Sequence, residues 1–112
     1  NILVPESGHN IAPEPIEQLF LDHCPAATQC MLIGHARPHL ILLVTGEVPD
    51  DAIEAAIARV NAGVPHYRKI KTHLRVPEAF TIENGLLTAN QKLRRRAVEK
   101  YHHAAIARAY AS

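Results

Sequence analysis

Lys92, Arg94, Arg95 and Arg96 bring four cations together within five residues, next to Asn84-Gly85 and ahead of the last helical segment. By residue frequency alone Lys92 reads as a solvated surface lysine, though its side chain is suited to holding anions. A lysine ammonium is a compact charge with three donors on a long flexible stem. Just past a tight turn and before a helix, it sits where it can reach into a neighbouring cleft. The arginine run suggests a phosphate or nucleic-acid patch, but consecutive helical residues diverge by about 100°, so the three do not share a surface. Arg94 and Arg95 are left with two readings: contact with another domain or a phosphate, or a solvated helix face. The formal net charge is +1, from 12 Lys and Arg against 11 Asp and Glu. That balance gives no electrostatic case for nucleic acid or an anionic membrane.

Other reactive side chains are arranged less productively. Ser7 and His9 are close in sequence, but no Gly-x-Ser-x-Gly elbow or acidic partner accompanies them, which argues against a hydrolase triad. The 8 histidines invite a metal reading. His35 and His39 flank Pro38, however, and cannot share a helical face, while His23, Cys24 and Cys30 match no zinc spacing; no metal site is expected. Cys24 and Cys30 lack C-x-x-C spacing and read as reduced thiols. With no signal peptide and no apolar run long enough for a bilayer, a soluble cytoplasmic chain is expected.

At 112 residues the chain fits one α+β domain but is short for an enzyme that must hold several substrates. Ile2-Leu3-Val4 reads as a short strand before a turn through Pro5, Ser7 and Gly8. Pro13 opens a helix with Ile16, Leu19, Phe20 and His23 on one face, ending near Pro25. Gln29 to Ile33 and His39 to Val44 read as a buried antiparallel pair. Asp50 or Asp51 is expected to cap a second helix that buries Ile53, Ala56, Ile57 and Val60 and stops at Gly63. Lys71 to Val76 adds an edge-like third strand. Thr81 to Glu83 and Leu86 to Thr88 flank Asn84-Gly85, the pairing that best tolerates positive φ, so a protruding β-hairpin is expected there. A final helix carries Val98, Tyr101, Ala105, Ile106 and Tyr110 on one side. The expectation is a three-stranded, largely antiparallel sheet with packed helices and that hairpin.

Two segments carry a resemblance. Ser7-Gly8-His9-Asn10-Ile11-Ala12-Pro13-Glu14-Pro15-Ile16-Glu17 is similar to the first motif of the C-terminal domain of adenylate-forming enzymes, with Gly, Asn, Pro-Glu and Ile-Glu in register. Glu83 to Arg95 resembles the closing motif around that family's catalytic lysine, in the style of long-chain fatty acyl-CoA synthetases. Where many relatives have Gly before the lysine, Gln91 stands here. Ala89 and Asn90 replace the Pro and Thr of the long-chain pattern.

The resemblance implies that residues 1–112 are the small lid domain of an AMP-forming acid:thiol ligase, with ATP and CoA as substrates and Mg2+ accompanying ATP. Its implied partner is an N-terminal adenylation domain that binds ATP and the carboxylic acid. A chain that opens on Asn1 rather than Met is expected to continue upstream into it. Lys92 is assigned to acyl-adenylate formation, and the loop of Gly8 and His9 to the pantetheine thiol. The domain alone is expected to be inactive. The alternative is a free-standing, non-catalytic protein-binding module of the same fold.

Overall fold

The computed structural model describes residues 1–112 and divides into two compact units, Asn1–Pro77 and Glu78–Ser112. The first unit is built on helix α1 (Pro13–His23), strands β1 (Cys30–Ile33) and β2 (Leu40–Thr45), helix α2 (Asp50–Asn61), a 3-10 turn at His66–Arg68 and strand β3 (Ile70–Val76). Every residue of β1 and β2 is buried. Their apolar runs therefore behave as core strands, each full aliphatic burial contributing about 1.5–3 kcal/mol.

The sheet order is β1-β2-β3. β1 and β2 pair antiparallel, with Cys30 opposite Val44 and Ile33 opposite Ile41. β3 joins β2 in parallel. A mixed sheet thus replaces the largely antiparallel one expected. The reason lies in the connection: a whole helix and a 3-10 turn separate β2 from β3, long enough to return the chain to the end of the sheet where it started.

One face of the sheet, with Leu32, Leu40, Leu42 and Val44, shares a core with Ile16 and Phe20 of α1 and Ile53, Ile57 and Val60 of α2. Leu19, expected on the buried face of α1, is 40 % exposed, and its place is taken by Glu17, 7 % exposed. The Glu17 carboxylate accepts a 2.6 Å hydrogen bond from the Leu32 amide. β1 is an edge strand, so this carboxylate stands where a further strand would offer a carbonyl. Pro13 occupies the first turn of α1. The cap of α2 differs from expectation. Pro49 is the capping residue, without a side-chain bond, and Asp50 and Asp51 lie in the first turn, where their charges suit the positive helix end.

The second unit holds α3 (Arg95–Tyr101) and α4 (His103–Ala111), separated at His102, where a single helix was expected. Val98 and Ile106 are buried as the apolar spacing required, while Tyr101 is 56 % exposed. Glu78 holds the Tyr101 phenol by a hydrogen bond and its charge, raising the Tyr101 pKa. His102 has a lowered pKa because it is partly buried, an effect opposed by the Glu78 charge.

The expected hairpin across Asn84-Gly85 does not form. Gly85 has a φ of 80°, but Asn84 is not in the left-handed region, so the mirror-type turn is missing. The Asn84 side chain instead accepts from the Thr81 amide at 2.9 Å and donates to the Ala79 carbonyl at 2.9 Å. This local side-chain bonding competes with strand pairing and wins. A minimal antiparallel bridge forms further on, between Leu87 and Leu93.

Candidate functional site

The glycine loop belongs to the first unit. Leu3 and Ile11 close its base through two reciprocal backbone hydrogen bonds of 2.8 Å. The expected strand at Ile2 to Val4 is reduced to this bridge. One flank is tied to the β1–β2 connection: Glu6 donates to Arg37 and Ala36 donates to Val4, both at 2.9 Å. The Val4 amide donates to Nδ1 of His35 at 3.1 Å. This gives His35 a structural task in holding the loop. Within the loop, Gly8 donates to Pro5 at 2.9 Å.

Gly8 has a φ of +85°, and a Cβ built there would meet nothing within 4 Å. Glycine is required by the backbone conformation and not by crowding inside the unit, which leaves an open backbone surface for a slender ligand. Beside it, the His9 ring lies flat on Tyr67, with centroids 3.7 Å apart and planes within 10°. Nδ1 of His9 is 3.2 Å from the Ser7 hydroxyl.

A recess of about 470 Å³ lies in the same unit, lined by His39, His66, Lys69 and Lys71 together with Pro38 and Asn61. A smaller one of about 100 Å³ shares His39, His66 and Lys69 and adds Ser7 and Tyr67. His39 has a lowered pKa, first through burial and then through the Lys71 charge. The surroundings are cationic and suit an anion.

Lys92 lies in the second unit, exposed, at the end of a turn. The Thr88 amide donates to the Lys92 carbonyl at 2.8 Å, and Gln91 donates to the Thr88 carbonyl at 2.7 Å. The Lys92 amide also donates to the Thr88 hydroxyl at 3.1 Å. The lysine backbone is therefore fixed on both sides while its side chain remains in solvent. Gln91 has a φ of 63°. That is the left-handed region glycine adopts at least cost, a physical reason for the glycine that the resembling motif carries before its lysine. Arg94 donates through Nη1 to the Gly85 carbonyl at 2.9 Å, joining the two turns. Arg95 is half-buried and Arg96 exposed, so the three arginines do not form one patch.

Gly8 and His9 thus fall in one unit, and Lys92, Arg94 and Arg95 in the other. Tyr67, Thr88 and the buried Glu17 were missed as contributors. The stack joins His9, ahead of α1, to Tyr67, in the 3-10 turn before β3, and left no local signal. Thr88 was readable only as a strand residue. The chain gathers no group of three or more His, Cys, Asp or Glu side chains able to hold a metal ion.

A three-stranded α+β frame presenting a glycine loop, followed by a turn that exposes a lysine, is the architecture of the small domain of adenylate-forming enzymes. The chain belongs to the AMP-binding enzyme C-terminal domain family, whose pattern matches residues 1–112. It is 28% identical over 127 residues to a long-chain-fatty-acid–CoA ligase of Mycobacterium tuberculosis, covering 89% of this chain and 21% of that protein. It is 30% identical over 139 residues to the peroxisomal long chain acyl-CoA synthetase 7 of Arabidopsis thaliana, covering 99% of this chain and 20% of that protein. Among solved structures, the adenylation domain of a carboxylate reductase from Mycobacterium chelonae superimposes with a TM-score of 0.85 at 21% identity, over 100% of this chain and 20% of that one. The adenylation domain of a carboxylic acid reductase from Segniliparus rugosus, in complex with AMP and a co-purified carboxylic acid, gives 0.83 at 22% identity, over 99% of this chain and 20% of that one. The chain therefore spans about a fifth of the length of these relatives.

Proposed function

We propose that this chain is the C-terminal catalytic domain of an AMP-forming acyl-CoA ligase, working with a larger N-terminal adenylation domain and inactive without it. Adenylation brings a carboxylate against the α-phosphate of ATP, so two anions must approach while charge builds between them. A fixed cation at that point lowers the barrier. Lys92 is the residue for this role, bridging a carboxylate oxygen and a phosphate oxygen with separate N–H groups. The observation that carries the reading is the Lys92 turn itself: the backbone is pinned by Thr88 on both sides while the ammonium stays exposed. Such an arrangement suits a charge delivered into a cleft supplied by another domain.

The second half-reaction transfers the acyl group to the CoA thiol. The open backbone at Gly8 suits the slender pantetheine arm. The cationic recess around His66, Lys69 and Lys71, adjoining Ser7 through the smaller one, suits the phosphate end of CoA. Magnesium bound with ATP would neutralise phosphate charge, and its ligands are assigned to the larger domain, since this chain gathers no ligand cluster. A long-chain fatty acid is the acid favoured by the closing motif and the curated relatives. Two buried free thiols, Cys24 and Cys30, suit a reducing compartment such as the cytoplasm.

The test is Lys92→Ala in the ligase that carries this domain. Acyl-AMP formation should fall by roughly 10²–10³, the scale for removing one transition-state stabilising group. Thioester formation from supplied acyl-AMP should be largely retained. Equal loss of both half-reactions would reassign Lys92 to structure, and AMP release from ATP and a fatty acid by the 112-residue chain alone would refute the need for a second domain.

A further inference from the structure

The support under the glycine loop can be followed residue by residue. At the end of α2, the Asn61 side chain donates to the Ile70 carbonyl and accepts from the Ile70 amide, both at 2.9 Å. This paired bond imitates a strand neighbour and fixes where β3 begins. The intervening turn is closed by hydrogen bonds from Arg68 to the Pro65 carbonyl at 3.0 Å and from Lys69 to the His66 carbonyl at 3.1 Å. Tyr67 therefore projects from a short, backbone-bonded support and not from a loose loop. Its ring carries His9, which adjoins Gly8 and contacts Ser7.

The loop is tied at its base and along one flank, whereas Ser7 to Asn10 are exposed at its tip. An exposed tip with a glycine at positive φ samples several conformations unless a side chain is anchored. An aromatic stack contributes about 0.5–1.5 kcal/mol beyond its area, enough to shift such an equilibrium about two- to tenfold. Tyr67 is 36 % exposed, so its ring is held against the unit and still open enough to carry His9.

Resting on the reading that the Gly8 loop lines the thiol path, we propose that Tyr67 is a positioning residue for thioester formation. Stacked on His9, it holds the loop with the open face of Gly8 toward the thiol arm. It touches no reacting atom. Its effect is to raise the population of one loop conformation, and it belongs to the second half-reaction alone.

The experiment compares Tyr67→Ala, Tyr67→Phe and His9→Ala in the ligase, measuring each half-reaction separately with CoA as the varied thiol. Tyr67→Ala should lower kcat/KM for CoA by about tenfold, in line with the sensitivity of reactions to small displacements, while acyl-AMP formation is unchanged. Tyr67→Phe keeps the stack and should restore the thiol step. The double variant Tyr67→Ala/His9→Ala should be no worse than the weaker single variant, because both remove one contact. Additive losses, or equal loss in both half-reactions, would overturn the proposal. So would failure of Tyr67→Phe to restore the thiol step while the 112-residue chain keeps its wild-type circular dichroism. Gly8→Val separates this inference from the function it rests on: if Gly8→Val damages the thiol step and Tyr67→Ala does not, only the positioning role fails. If Gly8→Val is also harmless, the assignment of the loop to the thiol fails with it.

Discussion

The loop around Gly8 and the turn before Lys92 are held in place over very different sequence distances. The Val4 amide in the loop is bonded to a ring 31 residues away. His9 rests on Tyr67, which lies beyond α1, two strands and α2 in sequence. Around Lys92, the Thr88 hydroxyl is 4 residues away and the Arg94 contact to Gly85 spans 9. One region takes its geometry from a folded sheet, the other from its own neighbours. Changes remote in sequence should therefore disturb the loop around Gly8 while sparing the lysine turn.

The largest expected effect is that of Lys92→Ala on adenylation, which tests the local region directly. Next is Glu17→Ala. It removes the acceptor of the Leu32 amide at the sheet edge. A buried donor left unpaired costs about 1–3 kcal/mol, so urea denaturation of the 112-residue chain should show a loss on that scale. If stability is unchanged, the carboxylate does not stand in for a strand. In the ligase the same change should weaken the thiol step more than adenylation, and the opposite order would break the comparison.

Gln91→Gly acts on the other region. A non-glycine residue in the left-handed conformation costs about 1–2 kcal/mol, and glycine returns roughly 0.5–1 kcal/mol of that through the flexibility of the unfolded chain. The net expectation is a gain of a few tenths to about 1 kcal/mol, read as a rise in the denaturation midpoint. A loss would mean that the Gln91 side chain contributes to the turn.

The smallest effect concerns pH. Asp50 has a lowered pKa, chiefly through its hydrogen bond with His73, helped by the charges of His73 and Arg75 and opposed by desolvation. His73 also bonds Glu54, so the cluster ties the start of α2 to β3. A carboxylate with a depressed folded pKa adds stability above its unfolded pKa of about 3.9, and that stability is lost as pH falls through the folded value. Asp50→Asn should flatten the acid limb of the stability profile slightly. Because Asp50 is exposed, the difference should shrink in high salt. An unchanged acid limb would show that the cluster contributes nothing there.

The most legible parts were those in which neighbouring residues decide the outcome. Pro13 and the spacing of Ile16 and Phe20 specify α1; Ile53, Ala56, Ile57 and Val60 specify α2; and the unbroken apolar runs of β1 and β2 specify two core strands. Lys92 was legible as an exposed residue between a turn and a helix, and the family motif supplied its chemistry. The Asn84-Gly85 hairpin was misread because the pair's turn preference was weighed without the competing bonds of Asn84 to Thr81 and Ala79. Those bonds hold the segment in turns where paired strands were expected.

By itself the sequence determined α1 and α2, the buried strands, the two motifs and the residue able to act as a cation. These follow from local sterics, from the period of apolar side chains and from the resemblance the motifs carry. Only the tertiary structure decided that β3 runs parallel to β2, that Glu17 leaves the solvent face to satisfy an edge amide, and that Tyr67 lies under His9. Each of those depends on where the sheet brings distant backbone together, and unpaired polar groups at such meeting points must find partners whatever their distance along the chain.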